Sequence, residues 1–317
     1  RLAISEYLLR NRGMRVMPSQ IVIGAGTEYL YSRLMQMFGR ACTFAIEDPG
    51  YKKFAAISAS FGNPWKYIPI DDSGLMIDKL EESGADVVHV SPSNHFPTGI
   101  VMPITRRLEL SEWVGRVKKR YIIEDDYDGE FHYTRKVLPS LKSLDQHDRV
   151  IFMGSFSKTI MPSLRMGYVV MPASTVGAFT DCADITTSGQ PVLTQKILTA
   201  FLNEGHFFRH LKKMRALYQP RRDWMIAALQ EVYGDLFFTE QNDGGMHIVA
   251  FLTKGSRDRE IARCWQEQQL QVNALSEWYR GSGKRYGLVM GYNNVRTYQE
   301  AVELLERPKR QTLALLR

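Results

Sequence analysis

Cysteine is scarce. The 317 residues include three, Cys42, Cys182 and Cys264, far apart and with no paired or metal-like spacing. That argues against a disulfide or zinc framework and fits a reducing compartment. Long apolar runs are missing too, because charges break every stretch well short of the roughly 18–20 residues that span a bilayer. No basic segment followed by an apolar one opens the chain, so no secretion signal is visible. Internal repeats and low-complexity linkers are absent. With 44% apolar and 24% charged residues, disorder and collagen-like structure are excluded. The expectation is a cytoplasmic globular protein with no membrane partner.

The net charge is modest, +7 from 41 basic and 34 acidic residues, and most basic residues are mixed with acids. One denser cluster, Arg209, Lys212, Lys213, Arg215, Arg221 and Arg222, falls on an expected helix and reads as a solvated face. Neither a recognition-helix motif nor a basic segment interleaved with aromatics supports direct binding of nucleic acid.

Short β-rich runs alternate with helical patterns over the first 190 residues. Leu2, Ile4, Tyr7, Leu8 and Leu9 suit an amphipathic helix over Arg1–Arg12. Ile21–Ile23, Cys42–Ile46, Asp86–Val90, Tyr121–Ile123, Val150–Met153 and Gly167–Val170 read as strands. Helices are expected at Glu28–Phe38, Tyr51–Phe61 and Thr105–Lys119. The alternation predicts an α/β domain with a mostly parallel sheet covered on both faces. From residue 191 the pattern changes to long helices, Val192–Asn203 and Phe207–Val232, the second with a kink or break at Pro220. A strand at Met246–Leu252, a helix near Arg257–Gln269 and a final helix from Thr297 follow. The organisation read here is a large α/β domain over 1–190, then linking helices and a smaller α+β domain over 191–317.

Five segments, mostly at strand ends, carry chemistry. Gly154–Gly167 contains Lys158 among Ser155, Ser157 and Thr159, with Arg165 seven residues on. A Schiff-base lysine needs desolvation or nearby positive charge, and a phosphate needs hydroxyls, backbone N–H groups and the planar fork of an arginine. Glu124-Asp125-Asp126-Tyr127-Asp128 places carboxylates at a strand's C-terminal end, where open α/β sheets bind ligands. Gly24-Ala25-Gly26-Thr27 is a turn leading into a helix, an anion cradle. No Gly-Lys-Ser/Thr follows it, so it is not a nucleotide P-loop. Ser91–Gly99 and Glu47-Asp48-Pro49-Gly50-Tyr51 complete the set, the last offering an aromatic face to a flat ring.

Taken together and in this order, the five segments resemble fold-type I pyridoxal-5′-phosphate enzymes of the aminotransferase superfamily, aspartate aminotransferase-like in fold. The resemblance implies that Lys158 carries the cofactor as an internal aldimine, Asp125 holds the pyridinium nitrogen, Tyr127 bonds the ring hydroxyl and Tyr51 stacks on the ring. Gly26, Thr27, Ser155, Ser157 and Arg165 would hold the phosphate. The protein then supplies orientation and electrostatics to a cofactor that is an electron sink.

A narrower likeness follows from Glu124–Phe131 with Tyr133, Pro139–Asp145, Phe96-Pro97-Thr98-Gly99 and Glu204–Phe207 through Arg222. These look like the MocR branch of GntR-type bacterial transcription regulators, in which a winged helix-turn-helix domain precedes an aminotransferase-like domain that senses an effector. By that likeness the chain is the effector domain alone, in agreement with its abrupt start at Arg1. It would capture an amino acid or amine as an external aldimine, reach DNA only through the missing N-terminal domain, and act as a homodimer. The second reading is a free-standing aminotransferase acting on an amino acid and a 2-oxo acid, and weak or vestigial transamination remains open.

The chain also departs from the family pattern. Phe96 stands where ordinary aminotransferases have an asparagine that bonds the ring hydroxyl, which leaves Tyr127 to make that contact, with Asn94 or His95 as candidates to help. A ligand carboxylate needs a cationic anchor, for which the candidates are Lys53, Arg280 and Arg285. Trp278 and Tyr279 are candidate walls of the pocket.

Overall fold

The computed structural model describes residues 1–133, 138–184, 190–240, 244–281 and 283–316. Eight strands form one sheet: β1 (Ile21–Gly24), β2 (Phe44–Asp48), β3 (Trp65–Asp71), β4 (Gly74–Leu75), β5 (Val87–Val90), β6 (Tyr121–Asp126), β7 (Val150–Ser155) and β8 (Gly167–Val170). Their order is β1-β8-β7-β6-β5-β2-β3-β4. The pairs from β3 through β2, β5 and β6 to β7 are parallel, and β8 pairs antiparallel with both β7 and β1. The expected mostly parallel sheet is therefore present.

Strands buried on both faces explain why these runs are apolar without alternation. All of β2, β5, β7 and β8 is buried. Side chains alternate across the sheet. Ile123, Ile151 and Val169 pack with Leu30, Tyr31 and Leu34 of α2 (Thr27–Phe38) and Phe54 of α3 (Lys52–Phe61). On the other face, Val88, Val90, Ile122 and Val150 pack with Leu80 of α4 (Ile77–Ser83) and Leu110, Trp113 and Val114 of α5 (Ile104–Arg116). The first helix, α1 (Leu2–Arg12), buries Ile4, Tyr7 and Leu8 against Phe156, Tyr168 and Phe207. A short helix, α6 (Val176–Asp184), follows β8 and places Phe179 in the α2 core.

The second half opens with α7 (Val192–Asn203) and α8 (His206–Tyr233). Four antiparallel strands, β9 (Phe237–Phe238), β10 (His247–Leu252), β11 (Val272–Ala274) and β12 (Gly287–Gly291), lie in the order β11-β12-β10-β9. Helices α9 (Asp258–Glu267), α10 (Tyr298–Glu306) and α11 (Lys309–Leu316) follow in the chain among these strands and after them. The core here joins Met225 and Leu229 of α8 to Ile248, Ala250, Trp265, Leu288, Met290 and Leu305.

Several elements differ from expectation. Pro220 lies inside α8, which continues through it, so the alternative of a break at that residue is not realised. A proline forfeits one backbone bond and crowds the preceding turn, and the buried Leu211, Met225, Ala228 and Leu229 on either side supply the packing that holds the helix. The helix expected from Thr297 is two helices, divided around Pro308. Strands β3, β4, β9, β11 and β12 and helices α4 and α6 were not foreseen.

The halves are joined near the site. Asp48, at the end of β2, accepts the backbone N–H groups of Arg280 (2.7 Å) and Gly281 (2.6 Å). The His247 ring nitrogen Nε2 lies 2.8 Å from the carbonyl of Pro97.

Candidate active site

The strand order places the site. The chain steps from β2 to β3 in one direction, whereas β5, β6 and β7 lie on the other side of β2. A crevice opens outside the C-terminal ends of parallel strands where the order reverses in this way. There the structure holds a cavity of about 350 Å³ lined by Tyr51 after β2, Ser91 after β5, Asp125 and Tyr127 at β6, and Ser155, Ser157 and Lys158 at β7. Thr27 and Arg165 line it as well. Loops more than 100 residues apart in sequence thus meet in one space.

Asp125 is buried at the end of β6. Its Oδ2 accepts the Tyr31 hydroxyl at 2.6 Å and lies 3.5 Å from His89 Nε2, and the Tyr31 oxygen lies 2.9 Å from the same histidine nitrogen. Burial and the neighbouring carboxylate push the Tyr31 hydroxyl well above its ordinary range, so Tyr31 donates. The other oxygen, Oδ1, is buried with no partner. A buried acceptor left unmade is costly, which makes this oxygen the acceptor available to a donor in the cavity. A protonated ring nitrogen is such a donor.

The opposite end is an anion cradle. Gly26 caps the N-terminus of α2 with φ at 93°, a left-handed value that a side chain strains to adopt. A Cβ there would stand 2.8 Å from Arg165 Nη2, so the glycine lets the guanidinium approach the helix end. Ser155 Oγ accepts the N–H of Ser157 at 3.1 Å, whereas Ser157 Oγ is buried without a partner. Helix N–H groups, a free hydroxyl and an arginine converge, as phosphate binding requires. Glu28, in the first turn of α2, complicates this end: it lies 2.5 Å from Lys53 Nζ and 3.4 Å from Arg165 Nη2. Glu28 pairs with both cations, and the Lys53 hydrogen bond lowers its pKa.

Lys158 sits in the turn after β7 and lines both this cavity and a second one of about 350 Å³ with Asp128, Tyr218, Met246 and His247. Phe96 stands between them. Its ring meets Trp278 at 4.6 Å and 90°, His247 at 5.4 Å, Tyr127 at 6.3 Å and Tyr51 at 6.5 Å, each edge to face. Asn94 lies behind Tyr127: its Nδ2 donates to the Tyr127 hydroxyl oxygen at 3.1 Å and to the two Asp128 oxygens at 3.1 and 2.9 Å. Burial raises both the Tyr127 hydroxyl and the Asp128 carboxyl well above their usual values. His95 points elsewhere, with Nδ1 2.6 Å from Thr98 Oγ1 and Nε2 3.6 Å from Glu47.

The structure brings together Thr27, Tyr51, Asp125, Tyr127, Ser155, Ser157, Lys158 and Arg165 around one cavity, with Gly26 and Asn94 directly behind it. Lys53 reaches the same cavity but is paired with Glu28. Arg280 gives its backbone N–H to Asp48 while its side chain is exposed and lines neither cavity. Arg285 pairs with Glu240 and covers the Phe251 ring. Trp278 lines the cavity, whereas Tyr279 packs in the small-sheet core. Tyr31, His89, Glu28 and Asp128 were not foreseen as site residues. Tyr31 falls on the apolar stripe of α2 and reads as core, and His89 is an interior residue of a buried strand.

The donors present fit pyridoxal 5′-phosphate. An orphan carboxylate oxygen, an orphan hydroxyl in a helix-end cradle, aromatic walls and an accessible lysine are all held within one cavity. Among the described residues no group of three or more His, Cys, Asp or Glu is placed to hold a metal ion, and no helix is long and apolar enough to cross a membrane.

Comparison with known proteins agrees with the geometry. The family model "aminotransferase class I and II" matches residues 1–281. The chain is 32% identical over 295 residues to an uncharacterized HTH-type transcriptional regulator, YdeL, of Bacillus subtilis, covering 93% of this chain and 64% of that protein. It is 31% identical to the probable rhizopine catabolism regulatory protein MocR of Rhizobium meliloti, covering 96% and 62%. It is 32% identical to the pyridoxine biosynthesis regulator PdxR of Corynebacterium glutamicum, covering 93% and 63%. The chain thus spans just under two thirds of the length of these relatives. A crystal structure of Pyrococcus horikoshii kynurenine aminotransferase superposes with a TM-score of 0.88 at 22% identity, over all of this chain and 80% of that one, a likeness of fold.

Proposed function

We propose, for a chain that belongs to the aminotransferase class I and II family, that it is the pyridoxal-phosphate-binding, ligand-sensing part of a MocR-type transcription regulator. The observation that carries this reading is the cavity in which Lys158 shares walls with Asp125 and Ser157, two residues with buried, unpartnered oxygens. When bound, pyridoxal phosphate supplies an aldehyde that combines with amines and a ring that withdraws electrons. Asp125 Oδ1 would hold a proton on the ring nitrogen, with Oδ2 fixed by Tyr31 and His89. Gly26, Thr27, Ser155, Ser157 and Arg165 would hold the phosphate, and Tyr51 would cover the ring. The Tyr127 hydroxyl, oriented by Asn94, would meet the ring oxygen, and Lys158 would hold the aldehyde carbon until an amino ligand displaces it.

Phe96 supports the sensing role. It fills the edge of the site with an aromatic ring that cannot bond a ring hydroxyl, and through it Tyr51, Tyr127, His247 and Trp278 share one packed cluster. A ligand that moves Phe96 therefore moves contacts from both sheets, which is the differential contact a population shift requires. The effector would be an amino acid or amine. DNA would be bound through a further domain of the longer protein, and the assembly would be a homodimer. Exposed Val192, Leu193 and Ile197 on α7 are suited to such an interface.

The second reading, a free-standing aminotransferase, has one observation in its favour: Lys158 and Asp125 line the same cavity. A single experiment separates the two. The cofactor-loaded chain is titrated with amines and amino acids while absorbance and released 2-oxo product are followed. A sensor gives a stable spectral change and at most one equivalent of product. Repeated turnover on adding a 2-oxo acid would make the chain an aminotransferase. Lys158→Ala should remove the near-visible band that the cofactor-loaded chain shows before ligand is added, and a variant that keeps that band unchanged would remove Lys158 from the reading.

A further inference from the structure

Lys158 faces two spaces, and their linings differ in charge. The cofactor cavity holds the cations Arg165 and Lys53, both against Glu28. The second cavity, the chamber beyond Lys158, shares Phe96, Tyr127, Ser157 and Pro162 with the first and adds Tyr218, Met246, His247 and Asn293. Past Phe96, His247 and Trp278, a groove of about 540 Å³ continues beside Gln266, Gln271, Asn273 and Val289. Among the described residues, Lys158 is the one Lys or Arg side chain lining either the chamber or the groove. Burial lowers the pKa of His247, and its Nε2 is engaged with the Pro97 carbonyl. The chamber's one carboxyl is Asp128, which is buried and held by Asn94.

We propose that the chamber and groove beside Lys158 select a primary amine whose remaining body is uncharged, aromatic or aliphatic, over the α-amino acid of the same side chain. This rests on the reading that Lys158 is the lysine an amino ligand displaces. A carboxylate carried past Phe96 would lose its hydration in a space that no cation but Lys158 lines, since Arg221 and Lys52 lie over the Tyr218 and Trp278 rings without lining it. Burying an unpaired charge is among the most expensive moves a binding site can make. An amine brings no such group, and Asp128 lies where it can accept from the incoming nitrogen. Phe96, Trp278, Tyr218, Met246 and Val289 offer apolar contact to the rest of the ligand. Specificity here would come from a missing partner, and a site that leaves a polar group unpaired discriminates more strongly than one that merely fits shape.

The test is a calorimetric titration of the cofactor-loaded chain with two matched pairs, 2-phenylethylamine against L-phenylalanine and 3-methylbutylamine against L-leucine. Each amine should bind at least tenfold more tightly than its amino acid. Asn293→Arg, at an exposed position on the chamber's edge, should narrow that ratio several-fold by supplying the absent cation. Equal or tighter binding of the amino acids overturns the proposal. So does silence from both members of both pairs when borohydride reduction has placed the cofactor on Lys158. If reduction places it on another lysine, the underlying reading fails first.

Discussion

Arg12 ends α1, and its side chain is 5% exposed against 3% for Asp126, with which it forms an ion pair. Asp126 lies between Asp125 and Tyr127, so this pair fixes the strand end that carries the site. Removing one member of a buried pair leaves an uncompensated charge and costs about 3–5 kcal/mol. With an unfolding entropy of about 2.1 cal/mol/K per residue, 317 residues give about 0.7 kcal/mol/K, so Arg12→Met should lower Tm by about 4–8 °C. The double variant Arg12→Met/Asp126→Asn removes the charge that was left unpaired and should recover about half of that loss, a coupling that a double-mutant cycle isolates. Differential scanning calorimetry measures all three variants and the parent. A Tm change below about 1 °C for Arg12→Met, or no recovery in the double variant, would refute the argument that this pair holds the strand end.

Two further predictions concern neighbouring residues. Gly26→Ala forces a side chain onto a left-handed backbone 2.8 Å from Arg165 Nη2. A strain of about 1–3 kcal/mol displaces the guanidinium and should weaken cofactor affinity by roughly 5- to 150-fold, read by fluorescence titration, with little change in secondary structure. Glu47 is buried beside His95, and burial pushes its carboxyl up from 4.5 to about 8, so the folded chain holds a proton that the unfolded chain releases. Stability therefore falls as pH rises between those values. Burial pushes His95 down from 6.5 to about 3, which opposes that trend only below 6.5. From pH 6.5 to 8 Glu47 contributes a loss of about 1.4 kcal/mol per pH unit, beside the buried Asp128 and Glu124, whose carboxyls burial also raises, and Glu47→Gln should lessen the slope by that amount. A slope unchanged in the variant would assign the effect elsewhere.

Much of the large sheet was legible because its strands are buried on both faces. Val150–Met153 and Tyr121–Ile123 are apolar throughout, and each is followed by the polar residues that line the site. Residues that meet the cavity from these strand ends, Asp125, Tyr127, Ser157 and Lys158, could be singled out by their order along the chain. Those that act from behind could not. Tyr31 sits on the buried stripe of α2, and a tyrosine there is indistinguishable from core until the fold places Asp125 against it. Glu28 is an acid in the first turn of a helix, a position it favours for the dipole alone, so its pairing with Lys53 and Arg165 carried no separate signal. The carboxylate anchors sought at Lys53 and Arg280 illustrate the reverse case, because spacing shows that a cation is near but not what already holds it. The small sheet was partly hidden: β12 is five residues flanked by glycines, and β11 is three residues long.

The most direct test is borohydride reduction of the cofactor-loaded chain followed by peptide mass analysis, which records the lysine that carries the aldehyde. A single modified peptide spanning Lys158, lost in Lys158→Ala, is the predicted result. Modification of Lys53 or of several surface lysines, with Lys158 unlabelled, would contradict the account of this cavity.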